Sequence, residues 1–398
     1  MAGLNARELR WLTVLSVLYG AVVVAVGAHK GNDLVYELHQ SERWLAGQPL
    51  YDEPPAQGMW WPPFSTALVA PFALLARTSL TTAKAIWAAL GVVALVISVV
   101  LARRWGGWRP VLLGLAAIAM PLQSNFEHLN INTVLLALAL GAAADLADGR
   151  DARAGTWIGV ATAIKAFPGL VLVGFALTGR WRALAAGAAV AAGLTYVAML
   201  PYGPVDAAEA LWNWLRLSAT ARSYAGAEVA ALGMQKIGRL TAALGGGIAA
   251  AAAANLVLLG VVAVSLRRHA RAQGPLWEVG LVVITALLIA PIGWLHSFTL
   301  AFPAWVAAIG GRPALGGTAA RAWTTALVGA GILTSGMLAH IPFGGSLAFV
   351  PKHNDTVGSL LLVALLVLTP FIGAASPPDP LSAVRRGGTA IRGDGGSV

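Results

Sequence analysis

The chain has 398 residues, 58% of them hydrophobic and 11% charged, with a mean hydropathy of +0.72. Soluble domains carry roughly 25% charged residues, so the composition excludes a water-soluble enzyme and indicates an all-α polytopic membrane protein. The formal charge of +10 is spread over short loops, which fits membrane orientation rather than nucleic-acid binding; the absence of cysteine excludes disulfide and thiol chemistry.

In chain order, apolar runs of near-spanning length fall at residues 11–28, 82–102, 131–147, 155–178, 182–201, 246–265, 322–340 and 356–374. Shorter runs at 61–76, 109–121, 277–291 and 297–310 bring the expectation to about twelve hydrophobic segments, half-helices among them. The first run is long, lacks a small-residue cleavage site and is followed by further apolar runs, so it is expected to stay in the membrane rather than act as a removable signal.

By the positive-inside rule, Arg7, Arg10, Arg180, Arg182, Arg267, Arg268, Arg271, Arg385, Arg386 and Arg392 mark the cytoplasmic side. Residues 29–60, 202–245, the turn near 294–297 and residues 341–355 then lie outside. Strict alternation of twelve spans places Arg103, Arg104 and Arg109 outside as well, against the rule; reading residues 61–76 and 155–178 as re-entrant returns them to the inner side. Both arrangements keep the termini inside and the loop carrying Asp33 outside. Residues 1–375 read as one membrane domain, and residues 376–398, rich in proline, glycine and charge, as a disordered cytoplasmic tail.

The first outer loop is acidic. Leu34, Leu38 and Leu45 fall near one face of a helix beginning at Asp33, with Asp33, Glu37, Gln40 and Arg43 on other faces, and Gly47-Gln48-Pro49 ends it. This describes an amphipathic helix on the membrane surface, and a second interfacial element at residues 205–222 carries Trp212, Trp214 and Arg222. A carboxylate held at the mouth of an apolar body is where an enzyme acting on lipid-linked substrates would carry its base, which singles out Asp33. Asp33 and Glu37 could equally form the solvated face of that helix. Trp60 and Trp61 serve either as aromatic anchors or as a stacking surface for a sugar ring.

Further along, Glu127, His128, Asn130 and Asn132 open an apolar run, where they could cap the helix or line a site. Lys165 interrupts a segment in A-T-A-I-K-A-F-P-G, at a cost of about 2.5 to 3.5 kcal/mol for a lysine at a helix centre. It either snorkels from a half-helix ended by Pro168 or faces an anion such as phosphate. His296, beside Pro291 and Trp294, is an interfacial cap or a site residue. No Walker loop, dinucleotide fingerprint or histidine pair at metal spacing is present.

Several segments in order, N-D-L-V-Y, W-L-A-G-Q-P-L-Y, W-W-P-P-F, L-N-I-N-T-V-L-L-A-L, G-V-A-T-A-I-K-A-F-P-G-L, G-M-Q-K-I-G-R-L and A-P-I-G-W-L-H-S-F, together resemble glycosyltransferase family 87 from about residue 30 to about residue 310. The resemblance implies a multispanning GT-C glycosyltransferase at the inner (plasma) membrane, with its active site on the outer side. It further implies a hexose, as mannose, moved from a polyprenyl-phosphate sugar onto a glycolipid or polysaccharide acceptor of the cell envelope, without a bound cofactor.

The sequence departs from the family at Asn130, where glutamine is usual, at Met234 and Lys236 within an asparagine-glutamine-serine run, and at Ser297 in place of a second histidine. These departures leave the sugar and the acceptor open. The family's base carries over onto Asp33, and its cavity-lining lysine and histidine onto Lys165 and His296. Arg222 and Arg239 are candidate partners of the donor phosphate, and Glu37, Trp60, Trp61, Glu127, His128, Asn130, Gln235 and Trp294 of the remaining substrate. Other expectations compatible with the sequence are an arabinofuranosyltransferase and, outside the enzyme class, a sugar or lipid transporter.

Overall fold

The computed structural model describes residues 5–51, 61–220, 236–290, 294–311, 315–335, 338 and 349–372. These residues are helical, with no strand among them. Four helices are long and apolar enough to cross a membrane, Ala6–His29, Leu80–Ala102, Ile248–Gln273 and His353–Phe371, and shorter apolar helices lie between them. The chain is an integral membrane protein. The expected tail at residues 376–398 lies outside the described residues.

Helix α1 (Ala6–His29) starts on a capping box in which Asn5 and Glu8 exchange side-chain and backbone hydrogen bonds. Most of its surface is exposed, as suits a helix bathed in lipid. It ends at Gly31, whose φ of +48° turns the chain sharply into α2 (Asn32–Leu45). A Cβ at residue 31 would stand 2.7 Å from the Gly27 carbonyl and from Leu129 Cδ1, so glycine answers both the backbone hand and the space.

The face expected of α2 is corrected by its packing. Residues 34, 37, 38 and 41 form one helical stripe, so Glu37 sits between Leu34 and Leu38 and is buried with them, as is Gln40, whereas Leu45 is exposed. The helix is clamped on α3 (Pro63–Ala76) rather than floating at the interface: Ser41 Oγ donates to the Thr66 carbonyl at 2.8 Å, and Arg77 pairs with Glu42 at 2.6 Å.

The ion pairs show which helix ends lie together. Helix α4 (Leu80–Ala102) begins where Lys84 donates to the Lys30 carbonyl at 2.9 Å and ends at Arg103, which pairs with Glu8 at 3.2 Å. The loop of Arg103 and Arg104 therefore shares an end of the molecule with the start of α1. Helix α5 (Trp108–Ala117) returns from that loop, with Trp108 Nε1 donating to Glu8 at 2.7 Å. It is followed by α6 (Ala119–His128) and α7 (Asn132–Ala147).

The long run at 155–178 is a hairpin. Helix α8 (Asp151–Ile164) breaks at Lys165, turns through a 3-10 segment at Phe167–Gly169, and returns as α9 (Leu170–Leu177) to Arg180, which lies 3.4 Å from Asp151. Pro168 fits the break, because it has no amide to donate to the Ile164 carbonyl four residues back and its ring would crowd that carbonyl in a continuous helix. Residues 151–180 are thus a helical hairpin, and the loop of Arg103 and Arg104 lies at the end of the molecule that carries Glu8 and Asp148.

Helix α8 lies against α10 (Trp181–Val197) at backbone contact. A Cβ on Gly155 would fall 2.0 Å from the Ala183 carbonyl oxygen, so only glycine permits the approach. The helix Pro275–Ile289 is buried on all sides and forms the axis of the molecule. Its one acidic group, Glu278, is matched by Thr178 at 2.7 Å and Arg180 at 3.0 Å, as a buried charge requires. The second interfacial element is α11 (Pro204–Thr220), with Trp214 buried and Trp212 exposed.

Candidate active site

At the end of the molecule opposite the arginine loop, four segments far apart in sequence converge. Lys165 is the C-cap of α8, in an extended conformation that releases its side chain from the helix. Its Nζ donates to Asn130 Oδ1 at 2.8 Å and to Asn132 Oδ1 at 3.2 Å, and stands 4.9 Å from the ring centre of Trp61. Asn130 Nδ2 donates to Asp33 Oδ2 at 2.9 Å and lies 3.2 Å from His296 Nε2. His296 Nε2 is 3.8 Å from Asp33 Oδ2, and its backbone carbonyl accepts from Asn132 Nδ2 at 3.1 Å.

Elementary valence fixes the orientation of this cluster. An ammonium only donates, so the amide oxygen of Asn130 must face Lys165 and its NH2 must face Asp33 and His296. His296 Nε2 accepts from that NH2 in the tautomer whose ring hydrogen sits on Nδ1. Lys165 and Asp33 are thus joined through the dipole of one amide, each oriented by its opposite end. A carboxylate, an ammonium and an imidazole face one another, groups able to take a proton and to stabilise a departing anion.

Local backbone explains how Asn130 comes to its position. Leu129 has a φ of +55°, the left-handed conformation that is rare for a leucine and costs roughly 1–2 kcal/mol. The strain is held by neighbours: Trp87 Nε1 donates to the Leu129 carbonyl at 2.9 Å, and Gly31 N donates to the Glu127 carbonyl at 2.9 Å. The turn after α6 and the turn before α2 are therefore locked together, which places Asn130 opposite Asp33. Neither Asn130 nor Asn132 caps α7, whose N-cap is Ile131 with no side-chain hydrogen bond.

Glu37 lies one turn beyond Asp33, is 2% exposed, and has an Oε2 with no hydrogen-bond partner. Burial pushes its carboxyl well above the usual carboxylate range; Lys165 opposes that rise and Asp33 adds to it. A carboxyl whose folded value is raised leaves stability fully present below its unfolded value, and that stability is lost as pH climbs through the folded one. Glu37→Gln, which stays neutral, is expected to remove the alkaline loss. Melting temperatures of both proteins from about pH 5 to about pH 9 check this, and parallel pH curves for the two would show that Glu37 is ionised throughout.

The other expected residues divide. Trp61 and His128 join the cluster, the latter with its ring 5.5 Å from that of His296 and its Nδ1 2.8 Å from the Ser124 carbonyl. Trp294 stacks on His296 at 6.4 Å and is 52% exposed, at the mouth of the site. Glu127 is turned to Lys30, at 3.3 Å, and to Gln123, at 3.1 Å, and it ties α1 to α6. Arg239 is exposed and is not brought to the cluster, because the helix Lys236–Ala243 buries its Lys236, Ile237 and Gly238 face instead. Trp60, Arg222 and Gln235 lie outside the described residues.

Two partners escaped the sequence reading. Asn132, read there as a cap or a lining residue without a partner, holds both Lys165 and the His296 carbonyl. Lys236 is buried beside Phe298, 5.2 Å from its ring centre, and pairs with Asp355. Lysine at a departure from the family pattern was the available signal, but its partner lies 119 residues away. Among the described residues no group of three or more His, Asp or Glu stands together as a metal site.

The sequence model of glycosyltransferase family 87 matches residues 60–291, more than half of the chain. No curated protein matches it. Two crystal structures of ArnT from Cupriavidus metallidurans are similar. The apo state has 17% identity and a TM-score of 0.46, over 92% of this chain and 78% of ArnT. The state bound to undecaprenyl phosphate has 18% identity and a TM-score of 0.48, over 90% and 77%.

Proposed function

The chain belongs to glycosyltransferase family 87, and from that premise we propose that this membrane glycosyltransferase moves a hexose, mannose, from a polyprenyl-phosphate donor onto a glycolipid or cell-envelope glycan, with Asp33 as general base. The observation that carries the reading is the bridge of Asn130 between Asp33 and Lys165. It supports the reading by bringing a carboxylate and an ammonium to the two ends of one amide.

Asp33 takes the proton of the acceptor hydroxyl as its oxygen bonds to the anomeric carbon. The bond from that carbon to the phosphate oxygen breaks, and the electron pair leaves with the phosphate. Lys165 stabilises the departing charge, and because a phosphate ester leaves as an anion, no second carboxylic acid is needed, unlike in glycoside hydrolysis. Direct attack inverts the centre, so a beta-linked donor gives an alpha-linked product. His296 fixes the amide of Asn130 and has its Nδ1 hydrogen left for phosphate, while Trp61, beside Lys165, offers a face to the sugar. Arg222 belongs to the same proposal as a further partner of the donor phosphate, and Trp60 and Gln235 as contacts of the remaining substrate; Arg239, exposed, does not. The site faces the outer side of the inner membrane.

Purified protein given polyprenyl-phosphate-mannose and an envelope lipid fraction is expected to yield an alpha-linked hexose adduct by mass spectrometry. A pentose adduct from polyprenyl-phosphate-arabinofuranose alone would replace the sugar assignment. Sugar flux in proteoliposomes without any adduct would overturn the enzyme reading.

A further inference from the structure

Lys236 is a buried charge that the transfer step leaves unused. It pairs with Asp355, whose other carboxylate oxygen accepts from the Thr356 amide at 2.7 Å. An ammonium has three hydrogens to donate. One is on Asp355, Nζ lies over the ring of Phe298 at 5.2 Å from its centre, and among the described residues no second oxygen accepts from it. Phe298 belongs to the 3-10 segment Leu295–Ala301 that also carries His296, and the charges of Lys165 and Lys236 both act on that imidazole. Next to Asp355, Asn354 is buried with an Nδ2 that meets no acceptor.

The proposed reaction calls for a second cation. A phosphate monoester carries about 1.5 to 2 negative charges near neutral pH, whereas Lys165 supplies one positive charge and already spends two hydrogens on Asn130 and Asn132. We propose that Lys236 is a second partner of the donor phosphate, which is held by Lys165 and Lys236 together as it departs. The proposal rests on the polyprenyl-phosphate reading of the donor. Asp355 gives the buried ammonium the counter-charge it needs before phosphate arrives. Phosphate then joins the pair without breaking it, because Nζ has hydrogens left to donate. An ion pair whose only work is to join the helices Lys236–Ala243 and His353–Phe371 is harmed alike by loss of either charge; a phosphate contact depends on the lysine alone.

The experiment measures the affinities of the purified whole protein for a polyprenyl phosphate and for the polyprenol of the same chain length, whose ratio isolates the phosphate from the tail. Lys236→Met is expected to lower that ratio about tenfold, the effect of losing one charge-assisted contact. Lys236→Arg should retain most of it, and Asp355→Asn, which keeps the ammonium, should leave it close to wild type. Arg239→Met, exposed on the same helix, leaves it unchanged. Should Lys236→Met fail to fold because Asp355 is left buried without a counter-charge, Lys236→Met with Asp355→Asn removes both charges and carries the same expectation. Equal losses in Lys236→Met and Asp355→Asn overturn the assignment, and so does an unchanged ratio in Lys236→Met with a raised KM for a phosphate-bearing acceptor, which moves the contact to the acceptor. A wild-type protein that binds both lipids equally rejects the donor reading itself. A wild-type preference for the phosphate that survives Lys236→Met rejects the second contact alone.

Discussion

Asp33→Asn is expected to lower the rate of sugar transfer by about 10²- to 10⁴-fold, the range that a positioned general base contributes. The replacement keeps volume and shape, and its amide oxygen can still accept the hydrogen bond from Asn130 Nδ2 that now reaches Asp33 Oδ2 at 2.9 Å. The cluster should therefore stay assembled, with an unchanged melting temperature and intact donor binding, while the proton of the acceptor hydroxyl has nowhere to go. Single-turnover transfer by purified variant, measured beside equilibrium binding of donor, separates the two. Normal turnover would remove Asp33 from the role of base, and loss of folding would show that its charge is structural.

Lys165→Met is expected to reduce kcat/KM by about 10²- to 10³-fold, the effect of deleting one preorganised charge partner of a transition state. Two losses combine. The departing phosphate has no cation, and Asn130 has no ammonium to hold its oxygen in place, so the amide is free to rotate and present oxygen to Asp33. Both donor affinity and rate should fall, and the second loss predicts that Asn130→Leu reproduces part of the defect with Lys165 still present. Unchanged donor affinity and rate in Lys165→Met would reject phosphate contact.

Much of the fold was legible because membrane burial writes itself into composition: apolar runs marked the helices, and the helix carrying Asp33 spans Asn32–Leu45, as its loop suggested. The side-chain expectation for that helix went astray over Glu37. Acidic character suggested a solvated position, whereas helical spacing from Leu34 and Leu38 places it inside, and spacing is the stronger constraint once the helix is clamped on α3. The topology of residues 61–178 could not be read from hydropathy, since a hairpin broken at a lysine has the same apolar content as one span. Arg180 beside Asp151 is what distinguishes them.

The residues of the site were partly visible one by one, and their relation was not. Asn130 could be read as a helix cap or as a substrate contact, because asparagine at the start of an apolar run serves as either. Its actual partners are 97, 35 and 166 residues distant. No local pattern encodes such distances. Lys236 and Asp355 were missed for the same reason.

Joining the lysine and the aspartate through a neutral side chain also bears on how the chamber fills. Two opposite charges in direct contact would have to be pulled apart in a medium that screens them poorly, before anything could come between them. Under the proposed transfer a guest would have to displace only an uncharged carboxamide rather than separate an ion pair, and Asn130 would return to its place between Asp33 and Lys165 once the products leave.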